Sequence, residues 1–259
     1  MMESYDELGR DWIVHQWNWM NNVYLAFKDH YKYLIVISLV EKTLQFYDQM
    51  NIQFSFDQFY SKSNLQVEKF SITELCEKLQ LPKETVRRKV LELEKLGVLK
   101  RIKKQIIIDR SVFSQVKPER QIKLTSKYIY LVADIYNKDK IYSKKLDPSF
   151  IETVIKKNFS LCWRWFYRMQ IPMIIGYHDA FGDVGTFHVW GTVAMNQAFN
   201  YKNNVNTENV HSLTSDYMTF NKGIVTDQED ENTTGVSAMS LSDMTNIPRA
   251  TVIRKCKYL

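Results

Sequence analysis

Cysteine is scarce in this chain. Cys76, Cys162 and Cys256 are far apart and odd in number, which excludes a disulfide framework and offers no zinc-ligand spacing. They read as small buried apolar side chains in a reducing compartment. Long apolar runs are missing too. The strongest, Tyr33 to Val40, falls far short of the ~20 residues that cross a bilayer. Met1 to Arg10 is acidic and polar, without the basic start and apolar stretch of a signal peptide. These absences predict a soluble, cytoplasmic protein with no membrane partner.

Patterns that carry catalysis are equally thin. No glycine loop cradles phosphate, and neither a nucleophile elbow nor a dinucleotide fingerprint occurs. The histidines His15, His30, His178, His188 and His211 are scattered. His178, Asp179 and His188 lie closest together, but no helix or strand spacing makes them a metal site. Asp227, Glu229, Asp230 and Glu231 sit in a polar run that reads as a solvated loop. The expectation is therefore no catalytic residue, no metal, no cofactor and no enzymatic role.

What is present is ordinary globular material. The chain is 45% hydrophobic, 25% charged and 14% aromatic, and its 259 residues accommodate one large domain or two ordinary ones. The net charge of +6 is modest, but it is concentrated. Residues 77 to 104 hold ten Lys or Arg against four Asp or Glu, so one short segment matches the imbalance of the whole chain. A focused basic patch points to an anionic partner.

Along the chain, residues 6 to 30 read as one or two helices anchored by Trp12, Trp17, Trp19, Tyr24 and Phe27. Residues 31 to 50 read as a stronger one, with Leu34, Ile37, Val40, Leu44 and Tyr47 along one helical face. Asn51 to Lys69 is a connector without a period. Ser71 to Gly97 is a pair of helices, and Val98 to Asp109 two short β-branched strands around a basic turn at Lys103 and Lys104. Leu124 to Asn137, Pro148 to Arg168 and Thr186 to Phe199 read as helices, with Pro172 breaking the pattern and a turn at Asp179 to Gly185. Tyr201 to Gly235, rich in Asn, Thr, Ser and Asp, reads as a long loop or mobile segment. The aromatic stretch Phe159 to Tyr177 suggests an inter-domain core or dimer interface, with an effector pocket or base-stacking surface as the alternative.

A shift of 166 residues lays Ser71–Leu93 on Ser237–Leu259 without a gap. Eight of 23 positions are then identical: Ser71, Leu75, Pro82, Thr85, Val86, Arg88, Lys89 and Leu93 match Ser237, Leu241, Pro248, Thr251, Val252, Arg254, Lys255 and Leu259. Matches fall on apolar anchors and basic positions together, so duplication of one module is the simplest account. The segments expected are 1–30, an N-terminal helical segment; 31–115, a first domain; 116–185, a helical connection; and 186–259, a second domain.

In the first copy, Ser71 or Thr73 can cap a short helix with Glu74 in its first turn. Leu75 and Leu79 face the core. Pro82 suits the start of a second helix, from about Pro82 to Leu96. Val86, Val90, Leu93 and Leu96 form its buried stripe, and Lys83, Thr85, Arg87, Arg88 and Lys89 mostly point outward. Gly97 fits a left-handed C-terminal position.

This order of elements resembles the winged helix-turn-helix superfamily of bacterial transcription regulators, well over Ser71 to Asp109 and in part over Ser237 to Leu259. The runs L-P-K-E-T-V-R-R-K and I-P-R-A-T-V-I-R-K look like that family's turn and recognition helix. The resemblance implies a mainly α fold with a small β-wing, as tandem winged helix-turn-helix domains joined by helices, and a double-stranded DNA partner. It places the second helix in the major groove. Arg88 and Arg254 would touch bases or phosphates, with Lys83, Arg87, Lys89, Arg249 and Lys255 around them. Thr85 and Thr251 would bond phosphate, although semi-buried helix positions are the alternative for both. Lys89 and Lys255 could instead lie along the core edge with their stems buried. Arg101, Lys103 and Lys104 would be wing cations. In the second copy Ile253 replaces Arg87, and the sequence stops at Leu259 inside the second helix, which suggests a fragment of a longer chain. The reading is a sequence-specific transcriptional regulator, with a plasmid-type replication initiator or a protein-binding scaffold as alternatives. A homodimer and a small-molecule effector stay open.

Overall fold

A computed structural model describes residues 2–61, 63–67, 71–102, 105–110, 117–138, 146–204 and 236–259. The described chain is mainly helical with one small sheet. Its elements are α1 (Met2–Phe27), α2 (His30–Gln49), α3 (Phe56–Tyr60), β1 (Asn64–Val67), α4 (Ile72–Leu79), α5 (Lys83–Lys95), β2 (Leu99–Ile102), β3 (Gln105–Asp109), α6 (Glu119–Lys138), α7 (Pro148–Lys157), α8 (Phe159–Phe181), α9 (Val184–Asn204), α10 (Ala238–Thr245) and α11 (Arg249–Cys256). No helix among the described residues is long and apolar enough to cross a membrane.

Packing divides the chain into two compact units. A winged unit takes Ala26–Glu119 and Glu152–Val184; a helical unit takes Met1–Leu25, Arg120–Ile151 and Gly185–Leu259.

The winged unit is built on α2. Tyr33 to Leu39 are buried on every side of the helix, as expected of a helix enclosed by neighbours. Asp29 caps it, accepting from the Tyr31 and Lys32 backbone N–H groups at 2.9 and 3.1 Å, which satisfies two donors a helix start leaves open. α4, α5 and β1 pack on α2, as does α8. The sheet has the order β1-β3-β2, antiparallel throughout. Leu65, Ile108 and Leu99 stand opposite one another across its three strands, and all three are buried.

The expected connector 51–69 contains two elements. α3 is closed by a reciprocal cap between Ser55 and Gln58, and β1 alternates exposed and buried residues. The stretch 148–168 is not one helix. Asn158 Nδ2 donates to the Val154 carbonyl at 3.0 Å and ends α7. Nor does Pro172 break the chain: α8 runs through it. Proline inside a helix costs ~3 kcal/mol, but Trp163, Phe166, Ile171, Ile174 and Ile175 bury α8 on both sides of it. The aromatic stretch becomes core within the winged unit. Phe159 packs on Phe56, Phe59 and Tyr60 and stacks on Trp163 at 5.4 Å. Trp165 is the exception, at 55% exposure.

In the helical unit, Val14, Trp17, Leu124, Met195 and Met244 form one cluster. Val189, Leu241, Ile247 and Val252 form another, which seats α10 and α11. Trp17 Nε1 donates to Thr192 Oγ1 at 2.7 Å. α9 continues to Asn204, so the expected loop 201–235 begins as helix; residues 205–235, with His211 and the acidic run, lie outside the described residues. The cysteines are free, but Cys76 and Cys162 are half-buried and Cys256 is exposed, so the expectation of three buried thiols is corrected.

Two outcomes follow. Leu93 is fully buried, and Leu93→Ala leaves a cavity expected to cost ~2–5 kcal/mol, measured by urea unfolding with an unchanged m-value. His15 is buried, bonded to Thr125 Oγ1 at 3.0 Å, and burial lowers its pKa from 6.5 to about 4. Between those values the unfolded chain binds a proton that the folded chain refuses. Stability therefore falls as pH drops from 6.5 towards 4 and is retained above that window. Thermal melts of His15→Asn should show a flatter acid limb than the parent; equal limbs would contradict this.

Candidate nucleic-acid interface

α4 starts at Ser71, whose Oγ accepts from the Glu74 N–H at 3.4 Å; of the two possible caps, this residue serves. The helix ends at Gln80 in the left-handed region, φ 53°. The next two residues fix the entry to α5: Leu81 is buried, and Pro82 stands at the N-cap of α5 with φ −57° and ψ 140°. Val86, Val90 and Leu93 are buried without residue and fix the rotation of α5. Leu96, expected in that stripe, is 51% exposed because the helix ends there. Gly97 then adopts φ 75°, and the chain turns into β2.

This rotation decides what faces outward. Lys83, Arg87, Arg88 and Lys95 are exposed. Lys83, Arg88 and Lys95 have no ion-pair partner among the described residues. Arg87 meets Glu84 at 3.7 Å with both side chains largely in solvent, a contact of little energy. Glu84, Arg87, Arg88, Leu91, Glu92 and Lys95 line a shallow hollow along the helix. Lys95 was not among the residues expected from sequence; its place seven after Arg88, on the same helical face, is the signal that marks it.

Lys89 points elsewhere. Its Nζ lies 2.5 Å from Asp29 Oδ2 and 3.3 Å from Glu92 Oε2, and its side chain is 12% exposed. Lys32 joins the same group, 3.2 Å from Glu92. Burial alone would push the Glu92 carboxyl up, but the hydrogen bonds from Lys32 and Lys89 outweigh it and hold the pKa below the usual range. Two further pairs tie α4 to α2, Lys78 to Glu41 at 2.7 Å and Lys42 to Glu74 at 2.6 Å. Asp29 was missed from sequence. A polar residue before an apolar helix signals its capping role; its reach to Lys89 required the fold. Thr85 is half-buried. At the wing, Arg101 Nε meets Glu94 at 2.6 Å, and Lys103 and Lys104 lie outside the described residues.

The second helix pair has the same boundaries 166 residues on. Ser237 caps α10, accepting from the Ser240 N–H at 3.1 Å. Asn246 takes the left-handed φ of 57°, and Pro248 stands before α11 with φ −53° and ψ 135°. Leu241, Ile247 and Val252 are buried like their counterparts. Arg249 and Arg254 are exposed and Thr251 is half-buried. Lys255 is half-buried too, donating to Thr186 Oγ1 at 3.5 Å. Each pair therefore presents a basic residue after its proline and an arginine one and a half turns on, and keeps back the lysine that follows that arginine, Lys89 in the first and Lys255 in the second.

No group of three His, Cys, Asp or Glu among the described residues is arranged to hold a metal. His178 Nδ1 is 2.7 Å from the Tyr31 hydroxyl. His188 is buried, edge-on to Tyr24.

Residues 65–109, from β1 through β3, match the DeoR-like helix-turn-helix domain family. No curated protein matches the chain, and no solved structure does. The chain thus carries a DeoR-like helix-turn-helix with a three-stranded wing sheet, which supports a DNA-binding regulator.

The turn yields a test of the geometry. A non-glycine residue in the left-handed region is held there at a cost of roughly 1–2 kcal/mol. Gln80→Gly should raise stability by up to about 1 kcal/mol, and Gln80→Val, with its branched Cβ, should lower it by more than that. Denaturant midpoints in the opposite order would contradict the turn described.

Proposed function

We propose that the chain is a cytoplasmic transcriptional regulator that recognises duplex DNA by sequence through α5, acting by binding rather than catalysis. The observation that carries this reading is the outward row Lys83, Arg87, Arg88 and Lys95 on a helix whose other face is locked into the α2 core. A rigid helix that presents exposed cations, and whose N-terminus has no side-chain cap, suits a major groove, phosphates at the edges and guanine at the floor. Arg88 is the base-reading candidate, Lys83 and Lys95 the phosphate contacts. Lys89 is assigned to positioning α5 through Asp29, not to DNA.

We further infer that α10 and α11 form the second module of a tandem pair. The matched boundaries, left-handed turn residues and exposed arginines support it. The second module would add avidity on paired half-sites through raised effective concentration. It would be the weaker of the two, since Ile253 stands where Arg87 stands in the first.

Duplex sites selected from a random pool, titrated by fluorescence anisotropy across salt, test both parts. Affinity is expected to fall steeply with salt. Arg88→Ala should lose ~1–3 kcal/mol and relax preference at one position, and Lys83→Ala should weaken all sites alike and lower the salt slope by about 1. Lys89→Ala should lower the melting temperature and leave the slope unchanged. Arg254→Ala should weaken binding to two-site DNA and not to a single site. Salt-independent binding, or an Arg88→Ala variant with full affinity and preference, would remove the DNA-reading assignment; equal Arg254→Ala effects on both DNAs would remove the tandem one.

A further inference from the structure

The outer face of α8 has no role in the interface above. Trp165 is 55% exposed and Met169 40% exposed. Pro172, Gly176, Asp179 and Ala180 are exposed along the same helix. At 100° per residue all of these, with Arg168, fall within an arc of about 120°. The face is thus an apolar stripe with one cation and one anion on its edge. Arg168 stacks over the Trp165 ring at 4.5 Å, and neither Arg168 nor Asp179 has an ion-pair partner among the described residues.

Gly176 is the informative residue. A glycine inside a helix loses stability relative to alanine, and here a Cβ would meet nothing within 4 Å. The monomer gains no packing from its absence. Pro172, four residues earlier on the same face, likewise removes a helical hydrogen bond while its ring faces solvent. Both residues thin the helix surface where another helix could approach closely.

The stripe is complementary to itself. Laid antiparallel on a second α8, with a two-fold axis between Pro172 and Met173, Met169 falls opposite Gly176 and Trp165 opposite Ala180, large against small in both pairs. The same operation preserves the edge, so Arg168 comes opposite Asp179 with an axial offset of ~3 Å at 1.5 Å per residue, within reach of an arginine side chain. Size and charge are matched by one symmetry operator, the isologous arrangement that closes a dimer. We propose that α8 is the homodimer contact of this chain, its occupant a second copy. This assignment is independent of DNA binding.

Sedimentation equilibrium of the full chain over ~1–200 µM tests it, since one helix pair is at the small end of specific interfaces. The parent should dimerise reversibly. Gly176→Leu should raise the dissociation constant at least about tenfold with an unchanged or higher melting temperature, because the monomer has space there; Gly176→Ala, a smaller change, should weaken association in the same direction. Arg168→Glu and Asp179→Lys should each weaken it several-fold, and the double reversal should restore it. A parent that stays monomeric, an association that Gly176→Leu does not alter, or a double reversal no better than the singles would overturn the proposal. So would a monomer whose Trp165 is shielded from quencher, which would mean that the stripe is covered within one chain.

Discussion

The winged unit depends on how α5 is seated. Three side chains with no exposed surface, Val86, Val90 and Leu93, hold one face of α5 in the core, and the Lys89–Asp29 pair at 2.5 Å adds a polar constraint beside them. Apolar burial sets which way the helix faces, because turning it would bring those three into water. The charged pair adds geometry more than energy, since the desolvation of buried ions offsets much of their attraction. Once the helix is fixed, helical period turns Arg88 and Lys95 away from the core and Arg87 to its flank, while Lys83 is exposed because it stands in the first turn, with no helix before it to cover it.

Asp29 links two tasks in one carboxylate. It closes the start of α2 by accepting two backbone N–H groups, and it receives the lysine that leaves the outward row. The ion pairs between α2 with its cap and the helix-turn-helix alternate in sign: Asp29 at the cap and Glu41 on α2 meet lysines, and Lys32 and Lys42 meet glutamates. Such a pattern fixes register between elements whose apolar contacts alone would tolerate sliding.

Much of this was legible in the sequence where the signal is local. Helical period marked α2, α5 and α6, the Ser71 cap and Gly97 marked the ends of the helix pair, and the β-branched run at Ile106 to Ile108 marked β3. Where the signal is non-local it failed. β1 is four residues long and becomes a strand by pairing with β3, far along the chain, Asn64 opposite Asp109 and Val67 opposite Ile106. Pro172 is a strong local breaker, overridden by the packing of α8. Among the expected DNA contacts, composition grouped all basic residues of α5 together; separating Lys89 from Arg88 required knowing what stood across from each. The likeness of Ser71–Leu93 to Ser237–Leu259 lies in apolar anchors and turn residues together, and the left-handed Gln80 and Asn246 are a shared feature that identity alone did not reveal.

We propose that α5 faces DNA by its outward cations, and its other side is held in the core. The most direct test is site-directed photocrosslinking from single positions of the winged unit to a bound duplex. Probes at 83 and 88 should crosslink to DNA, the latter within the major groove, while probes at the buried position 75 and on the outer face of α8 at 165 should not. Crosslinks from 165 with none from 83 or 88 would contradict the account.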